Sequence, residues 1–391
     1  MHEPLGRIES NISPQRPIRI LQVVSGMRRA GIETWLMHIL RRIDRDLIKM
    51  DFLVHTSESC DYNEEILSYG CKIIPCLGKS RPWAYVRLFR RILDEHGPYD
   101  VVHAQVHHFN GIILRTAKGA GIPVRIAHSH TDTRQADSTA SLVRRAYLRL
   151  CKRWIRNCAT TRLACSRDAA LALFGREANA RILHCGIDLR PFHSPVDGAA
   201  VRGELGIAPD AFVIGHVGRF FEPKNHSFLL EVTAEAAKRE PRTVLLSVGD
   251  GPLRSQIEQK AISLGIRERV IFTGARADVF RLMQGAMDLF VFPSLFEGLG
   301  LALIEAQAAG LPCVISDVIP QDADVVPPLV RRMPLSAMPA AWVNAILADK
   351  SATLVPNQRE CMQLLEQSTF NITASVAALE ELYRGASRKS A

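Results

Sequence analysis

The chain has 391 residues, 47% hydrophobic and 23% charged, with a formal net charge of +9. That balance excludes wholesale disorder, and the length calls for two or three domains, each with its own core. No run approaches the ~20 uncharged apolar residues that cross a bilayer, and the polar start "MHEPLGRIESNISPQRP" lacks the apolar core of a signal peptide, so a cytoplasmic chain with a loose tail over 1–17 is expected.

From Ile18, "IRILQVVSG" reads as a buried strand ending at Gly26. "MRRAGIETWLMHILRRI" follows as a glycine loop and an amphipathic helix. "KMDFLVHT", "CKIIPCL", "DVVHAQV", "VRIAHSH" and "TRLACS" are further short apolar runs between helical patterns. Such alternation predicts parallel βαβ units with strands covered on both faces. Cys151, Cys158 and Cys165 recur every seven residues, which places them near one face of a helix. The nine cysteines show no CxxC pair or zinc spacing, so reduced, buried thiols are expected.

"RPFHSPVDGAA" is rich in proline and small polar residues and reads as a boundary. The expected domains are 18–192 and 209–365, with a linker at 193–208. The second restarts with the strand "FVIGHVGRF" and the helix "NHSFLLEVTAEAAKRE". It continues through "TVLLSVGDG", "RVIFTG", "LFVFP" and "CVISD", again separated by helical patterns. The segment 366–391 is expected to form a helix packing back on the first domain. The fold class is therefore α/β, two doubly wound, Rossmann-like parallel sheets facing a cleft, and such folds bind ligands at the carboxyl ends of their strands.

The residues just after the predicted strands carry the chemistry. Arg219 and Lys224 follow Gly218 in a loop that leads into a helix. A guanidinium fork, an ammonium and free backbone N–H groups suit a diphosphate. "SGMRRAG" has the same design, with Gly31 allowing backbone to approach a ligand, but it is not GxGxxG. Gly249 and Gly274 end two further strands, Arg276 follows the second, and Glu297 follows "LFVFPS". His128 and His130 close "VRIAHSH"; His103, His107, His108 and Asn110 close another strand and are either acceptor contacts or a polar strand end. "DRD" at 44–46 and "DAD" at 322–324 do not follow apolar strands as a metal-binding DxD does.

The ordered string "VGRF…K", "VGDGPLR", "FTG…DV" and "DLFVFPSLFEGLGLALIEAQAAGLPCVISD" resembles the retaining glycosyltransferases of family 4, with the GT-B fold, in the branch that builds bacterial capsular and exopolysaccharides. The resemblance covers nearly the whole chain. It implies sugar transfer from a nucleotide-sugar, most commonly a UDP-sugar, to a saccharide or lipid-diphosphate-linked acceptor, with no cofactor and no metal. It also implies that Glu297 and Glu305, spaced E-x7-E, contact the donor sugar and the ribose hydroxyls respectively. Arg219 and Lys224 would hold the diphosphate and stabilise the leaving group. Gly218, Gly249, Gly274, Arg276, Gly298, Leu299, Gly300 and Leu301 would complete the donor site, with Gly31 across the cleft. One histidine would face the donor sugar: His130 is favoured because Thr131 follows it, with His128 the alternative. Relatives read N-G-I/V-D where this chain has "HCGID", so Cys185 replaces an asparagine while Gly186 and Asp188 remain.

The basic stretch 144–156, with Tyr147 and Trp154, is either a face for an anionic inner-membrane surface or a solvated helix face. Aromatics at 6% and the lack of any recognition motif argue against nucleic acid. A degenerate GT-B binding protein and a GT-B nucleotide-sugar epimerase are the other classes to separate.

Overall fold

A computed structural model describes residues 16–176, 179–350 and 356–387. Most of the expected tail over 1–17 therefore lies outside the described residues. The first sheet contains β1 (Ile18–Val24), β2 (Ile48–Val54), β3 (Ile73–Pro75), β4 (Val101–Ala104), β5 (Val124–Ser129), β6 (Thr161–Ala164) and β7 (Arg181–Ile182), in the order β3-β2-β1-β4-β5-β6-β7. The second contains β8 (Phe212–Val217), β9 (Thr243–Val248), β10 (Val270–Gly274), β11 (Leu289–Phe292), β12 (Cys313–Ser316) and β13 (Val330–Met333), in the order β10-β9-β8-β11-β12-β13. The strand pairings are parallel in both sheets.

Strands such as "IRILQVV" need cover on both faces, and they have it: Ile20, Leu21 and Val23 are completely buried. The helix Gly31–Leu40 supplies part of that cover by burying Trp35, Leu36, Ile39 and Leu40 on one stripe. Strand order reverses between β1 and β4 in the first sheet and between β8 and β11 in the second. Crevices open outside the carboxyl ends of strands at such reversals, and these two face each other.

One expectation changes and two details are added. The expected linker 193–208 carries structure of its own. It holds the helix Gly198–Glu204, capped by Asp197. That helix belongs to the second domain: Arg281 Nη1 donates to Glu204 Oε2 at 2.7 Å. Cys151 and Cys158 do share the helix Leu142–Cys158, but Cys165 lies beyond β6, because the helix ends and the chain turns into the sheet. The segment after Asp317 adds the edge strand β13, whose two arginines hid it from the apolar pattern.

The chain then recrosses. The helix Gln358–Gln367, opened by an Asn357–Glu360 capping box, packs against the helix Leu301–Ala308. The last helix, Ile372–Ser387, packs against β1 and the helix Gly31–Leu40 of the first domain. Tyr383 is its deepest anchor, fully buried.

Candidate functional site

Between the sheets lies a cleft of about 940 Å³. Its second-domain wall is built from the loops that leave β8, β9 and β11. After β8 the chain passes Gly218, Arg219 and a short turn to Lys224, then enters the helix His226–Arg239. Lys224 Nζ donates to Glu297 Oε1 at 2.5 Å and lies 4.6 Å from the centroid of the Phe292 ring. Arg219 stacks on Phe221, 4.8 Å from its ring centroid, and has no carboxylate partner among the described residues. Of these two cations, Lys224 is already neutralised by a carboxylate and Arg219 is left for an anion.

Glu305 sits one turn into the helix Leu301–Ala308, on the side that lines the cleft. It has no hydrogen-bond or ion-pair partner among the described residues, and burial alone pushes its carboxyl up to about 7. A carboxylate without a protein partner, at a cleft wall, can accept two hydrogen bonds from vicinal hydroxyls. Gly300, Leu301 and Leu299 line the same wall, and the first turn of the helix has no side-chain cap.

The loop that carries Glu297 also locks the domains together. A Cβ on Gly298 would fall 1.7 Å from the carbonyl oxygen of His130, so no other residue fits without displacing backbone. Ser166 Oγ donates to the Gly298 carbonyl at 2.6 Å. Gly249 is a second close approach: its φ is +138°, and a Cβ there would meet the Gly218 carbonyl oxygen at 2.1 Å.

The first-domain wall comes from the loop after β1 and the end of β5. Gly31 opens the helix Gly31–Leu40 and faces Leu301 across the cleft. His130 lines the cleft and His128 does not: His128 points into the sheet, its Nδ1 3.2 Å from His103 Nε2. Burial pushes His130 down to about 3, so it is a neutral imidazole. Cys185 and Gly186 line the cleft as well, with Cys185 Sγ 3.7 Å from His130 Nδ1. Asp188 is held well below the usual carboxylate range by Arg190 and Arg42, despite its burial.

Other residues fall outside the cleft or into structural roles. Gly274 does not line it; its carbonyl accepts from Gly249 N–H at 2.9 Å and shapes the loop that does. Arg276 lines the cleft but is forked onto Asp278 at 2.7 Å. His103 is buried within β4, His107 Nε2 donates to the Thr131 carbonyl at 3.1 Å, His108 meets Asp137 at 3.0 Å, and the Asn110 carboxamide caps Val106 N–H at 2.9 Å. In "DRD" Asp44 Oδ1 accepts from Asp46 N–H at 3.0 Å, and in "DAD" Asp324 pairs with Arg332 at 2.8 Å. Among the described residues no group of three or more His, Cys, Asp or Glu is placed to hold a metal ion.

Glu33 is the cleft residue that sequence reasoning missed. It lies in the first turn of the helix Gly31–Leu40, lines the cleft, and is pushed up to about 7, chiefly by burial and opposed in part by Arg219. An acid in a first helical turn also compensates the helix dipole, so the sequence offered nothing to separate the two roles.

Two family models match: a glycosyl transferase 4-like domain over residues 19–186 and glycosyl transferases group 1 over residues 211–348. EpsF of Bacillus subtilis, named for a glycosyltransferase, is 38% identical over 95% of this chain and 97% of its own length. An Escherichia coli UDP-Gal:alpha-D-GlcNAc-diphosphoundecaprenol alpha-1,3-galactosyltransferase is 25% identical over 77% of this chain and 78% of its own. Among solved structures, Anabaena Alr3699/HepE in complex with UDP-glucose superposes with a TM-score of 0.76 at 20% identity, over 94% of this chain and all of that one.

Proposed function

This chain belongs to the group 1, family 4-like glycosyltransferases with the GT-B fold, and on that premise we propose that it is a retaining enzyme moving a sugar from a UDP-sugar to a saccharide or lipid-diphosphate-linked acceptor in surface polysaccharide synthesis. The observation that carries the donor half is the pairing of an unneutralised Arg219 with an unpartnered Glu305 across one cleft wall. A nucleoside diphosphate meets both needs: phosphate oxygens for the guanidinium, ribose hydroxyls for the carboxylate.

The mechanism follows from the charges. When the bond between sugar and diphosphate breaks, negative charge grows on the leaving oxygen. Arg219 and Lys224 stabilise that charge from fixed positions on the cleft wall. Glu297 holds Lys224 in place beforehand and lies beside the bond that breaks, while neutral His130 faces the sugar from the first domain. We assign no metal to this step; the two cations perform the role. The HepE complexes with UDP and UDP-glucose and the UDP-galactose specificity in the name of the E. coli relative support the choice of UDP. The diphosphoundecaprenol in that relative's name supports a lipid-linked acceptor.

An acceptor of that kind lies at a membrane surface. No helix among the described residues is long and apolar enough to cross a bilayer. The helix Leu142–Cys158 instead exposes Leu142 (81%) and Val143 (83%) beside a series of arginines, an arrangement suited to peripheral contact with anionic lipid.

The reading is tested by incubating the protein with UDP-glucose, UDP-galactose and their N-acetyl forms, without acceptor, and following the anomeric proton by NMR. Slow release of the α-anomer from an α-donor is the expected result. No turnover of any donor, even with diphospholipid-linked saccharide present, contradicts the enzyme reading and favours a binding protein. A new epimeric UDP-sugar favours the epimerase.

A further inference from the structure

A buried chain of polar side chains runs from the cleft to the last helix. His130 Nε2 is 2.6 Å from Gln105 Oε1. Gln105 Nε2 donates to Gln22 Oε1 at 2.8 Å, and Gln22 Nε2 donates to the Tyr383 hydroxyl at 3.1 Å. That hydroxyl is 2.8 Å from His103 Nδ1, and His103 Nε2 is 3.2 Å from His128 Nδ1. Every member is buried, from His130 at 8% exposed to Tyr383 at 0%.

Such a chain has two possible directions, because each amide can turn over and each imidazole can move its proton. One neighbour breaks the tie. Met50 Sδ, a weak acceptor with no hydrogen, lies 4.0 Å from Gln22 Nε2, which favours the amide NH₂ rather than the carbonyl on the side of Met50 and Tyr383. With Gln22 so fixed, its carbonyl demands the NH₂ of Gln105, and the Gln105 carbonyl demands a proton on His130 Nε2. On the other side Tyr383 O–H must donate to His103 Nδ1, and His103 Nε2–H to His128 Nδ1. The opposite direction would keep each donor on an acceptor along the chain but turn the Gln22 carbonyl toward the sulfur.

We propose that Gln105, Gln22 and Tyr383 are positioning residues that hold His130 with its proton on Nε2, leaving Nδ1 as an acceptor at the cleft for a hydroxyl of the donor sugar. This rests on the reading of His130 as the histidine facing the sugar. Among the described residues the Nδ1 atom is met only by the Cys185 thiol at 3.7 Å, a weak donor that a sugar hydroxyl can displace. Cys185 is thus a placeholder at the acceptor atom, and burial holds it as the neutral thiol. The last helix becomes part of the reaction centre although Tyr383 never touches the cleft.

The test is long-range ¹H–¹⁵N correlation of the imidazoles in full-length protein, with His130 assigned by loss of its signal in His130→Gln. The wild type is expected to show His130 and His103 as Nε2–H tautomers. Tyr383→Phe removes the 3.1 Å partner of the Gln22 amide, leaves it held by the weak Met50 contact alone, and is expected to give a mixture at His130. Gln105→Leu is expected to lower kcat about 10-fold with donor affinity within 2-fold, and Gln105→Glu, which keeps the acceptor oxygen, to recover part of that loss. An Nδ1–H tautomer at His130 in the wild type overturns the proposal, and needs no variant to fold. So does a Tyr383→Phe protein whose His130 tautomer and kcat are unchanged. Full activity in His130→Gln would sink the role of His130 in transfer while leaving the tautomer measurement to judge the chain of bonds.

Discussion

Glu305 is a carboxylate kept in place at a cost to the fold. Its native value of about 7 lies above the ordinary 4.5. Between those two values the native state keeps a proton that the unfolded chain has released, so stability falls as pH rises through that window and is flat above it. Glu305→Gln removes the penalty. The variant is expected to be more stable than the wild type at pH 8 by about 1–2 kcal/mol, the cleft being part-open, and equal to it at pH 4; urea unfolding at both values checks this. Equal stability at pH 8 would mean that the carboxylate is not desolvated. Lys224→Ala is expected to lower kcat about 10²–10³-fold, since a charge opposite the leaving group is lost and Glu297 is left unpaired. Steady-state kinetics with the active donor decide it, and a change confined to KM would contradict the role. At this scale the sequence was most legible where spacing and type were both specific. Glu297 and Glu305 stood out because two acids interrupt an apolar run. His130 could not be separated from His128 on pattern, because residues two apart share a face of a strand; what separates them is that His128 lies within β5 and His130 just beyond its end, at the cleft. Glu33 was hidden by an ordinary explanation for an acid at a helix start.

Among elements, the strands with unbroken apolar runs were readable and the edges were not. β13 carries Arg331 and Arg332, paired to Asp349 and Asp324, and an edge strand needs cover on one face only. The helix Gly198–Glu204 was masked by the proline and glycine around it, which mark its ends. The loop from Ser294 to Gly300 is where the element scale meets function. Gly298→Ala places a methyl group on the His130 carbonyl and is expected to push the two domains apart. A drop in Tm together with at least a 100-fold loss of kcat is the outcome, since small displacements of reacting groups cost that much. Unchanged kinetics would show that the domain contact at Gly298 is not the working one. The helix Leu142–Cys158 makes a separate prediction. Flotation with vesicles containing phosphatidylglycerol should carry the wild type upward and lose most of it in Arg144→Gln/Arg145→Gln/Arg149→Gln, each arginine contributing about 1 kcal/mol near the surface. Flotation unchanged in the triple variant would leave the exposed arginines as a solvated face.

Over the whole molecule, the two sheets act as two jaws whose reversals of strand order meet at one cleft, and the last helix ties the second domain back to the first. The two-domain architecture was legible because each half repeats the same rhythm of strand, glycine loop and helix. The recrossing at Ser368–Asn371 was only partly so: the helical pattern was plain, but which core Tyr383 enters depends on long-range packing that no local pattern encodes. The apolar cluster is continuous from β1 through to the helix Leu301–Ala308, so the domains share cover as well as a site. The central claim is that this shared cleft binds a nucleoside diphosphate through Arg219, Lys224 and Glu305, without a metal. Thermal unfolding with UDP, GDP and ADP in EDTA, for the wild type and Glu305→Ala, tests it most directly. UDP at ~100 times its dissociation constant should stabilise the wild type by about 2.7 kcal/mol and the variant by far less. Stabilisation that appears only when Mg²⁺ or Mn²⁺ is restored, or that survives undiminished in Glu305→Ala, would contradict the account.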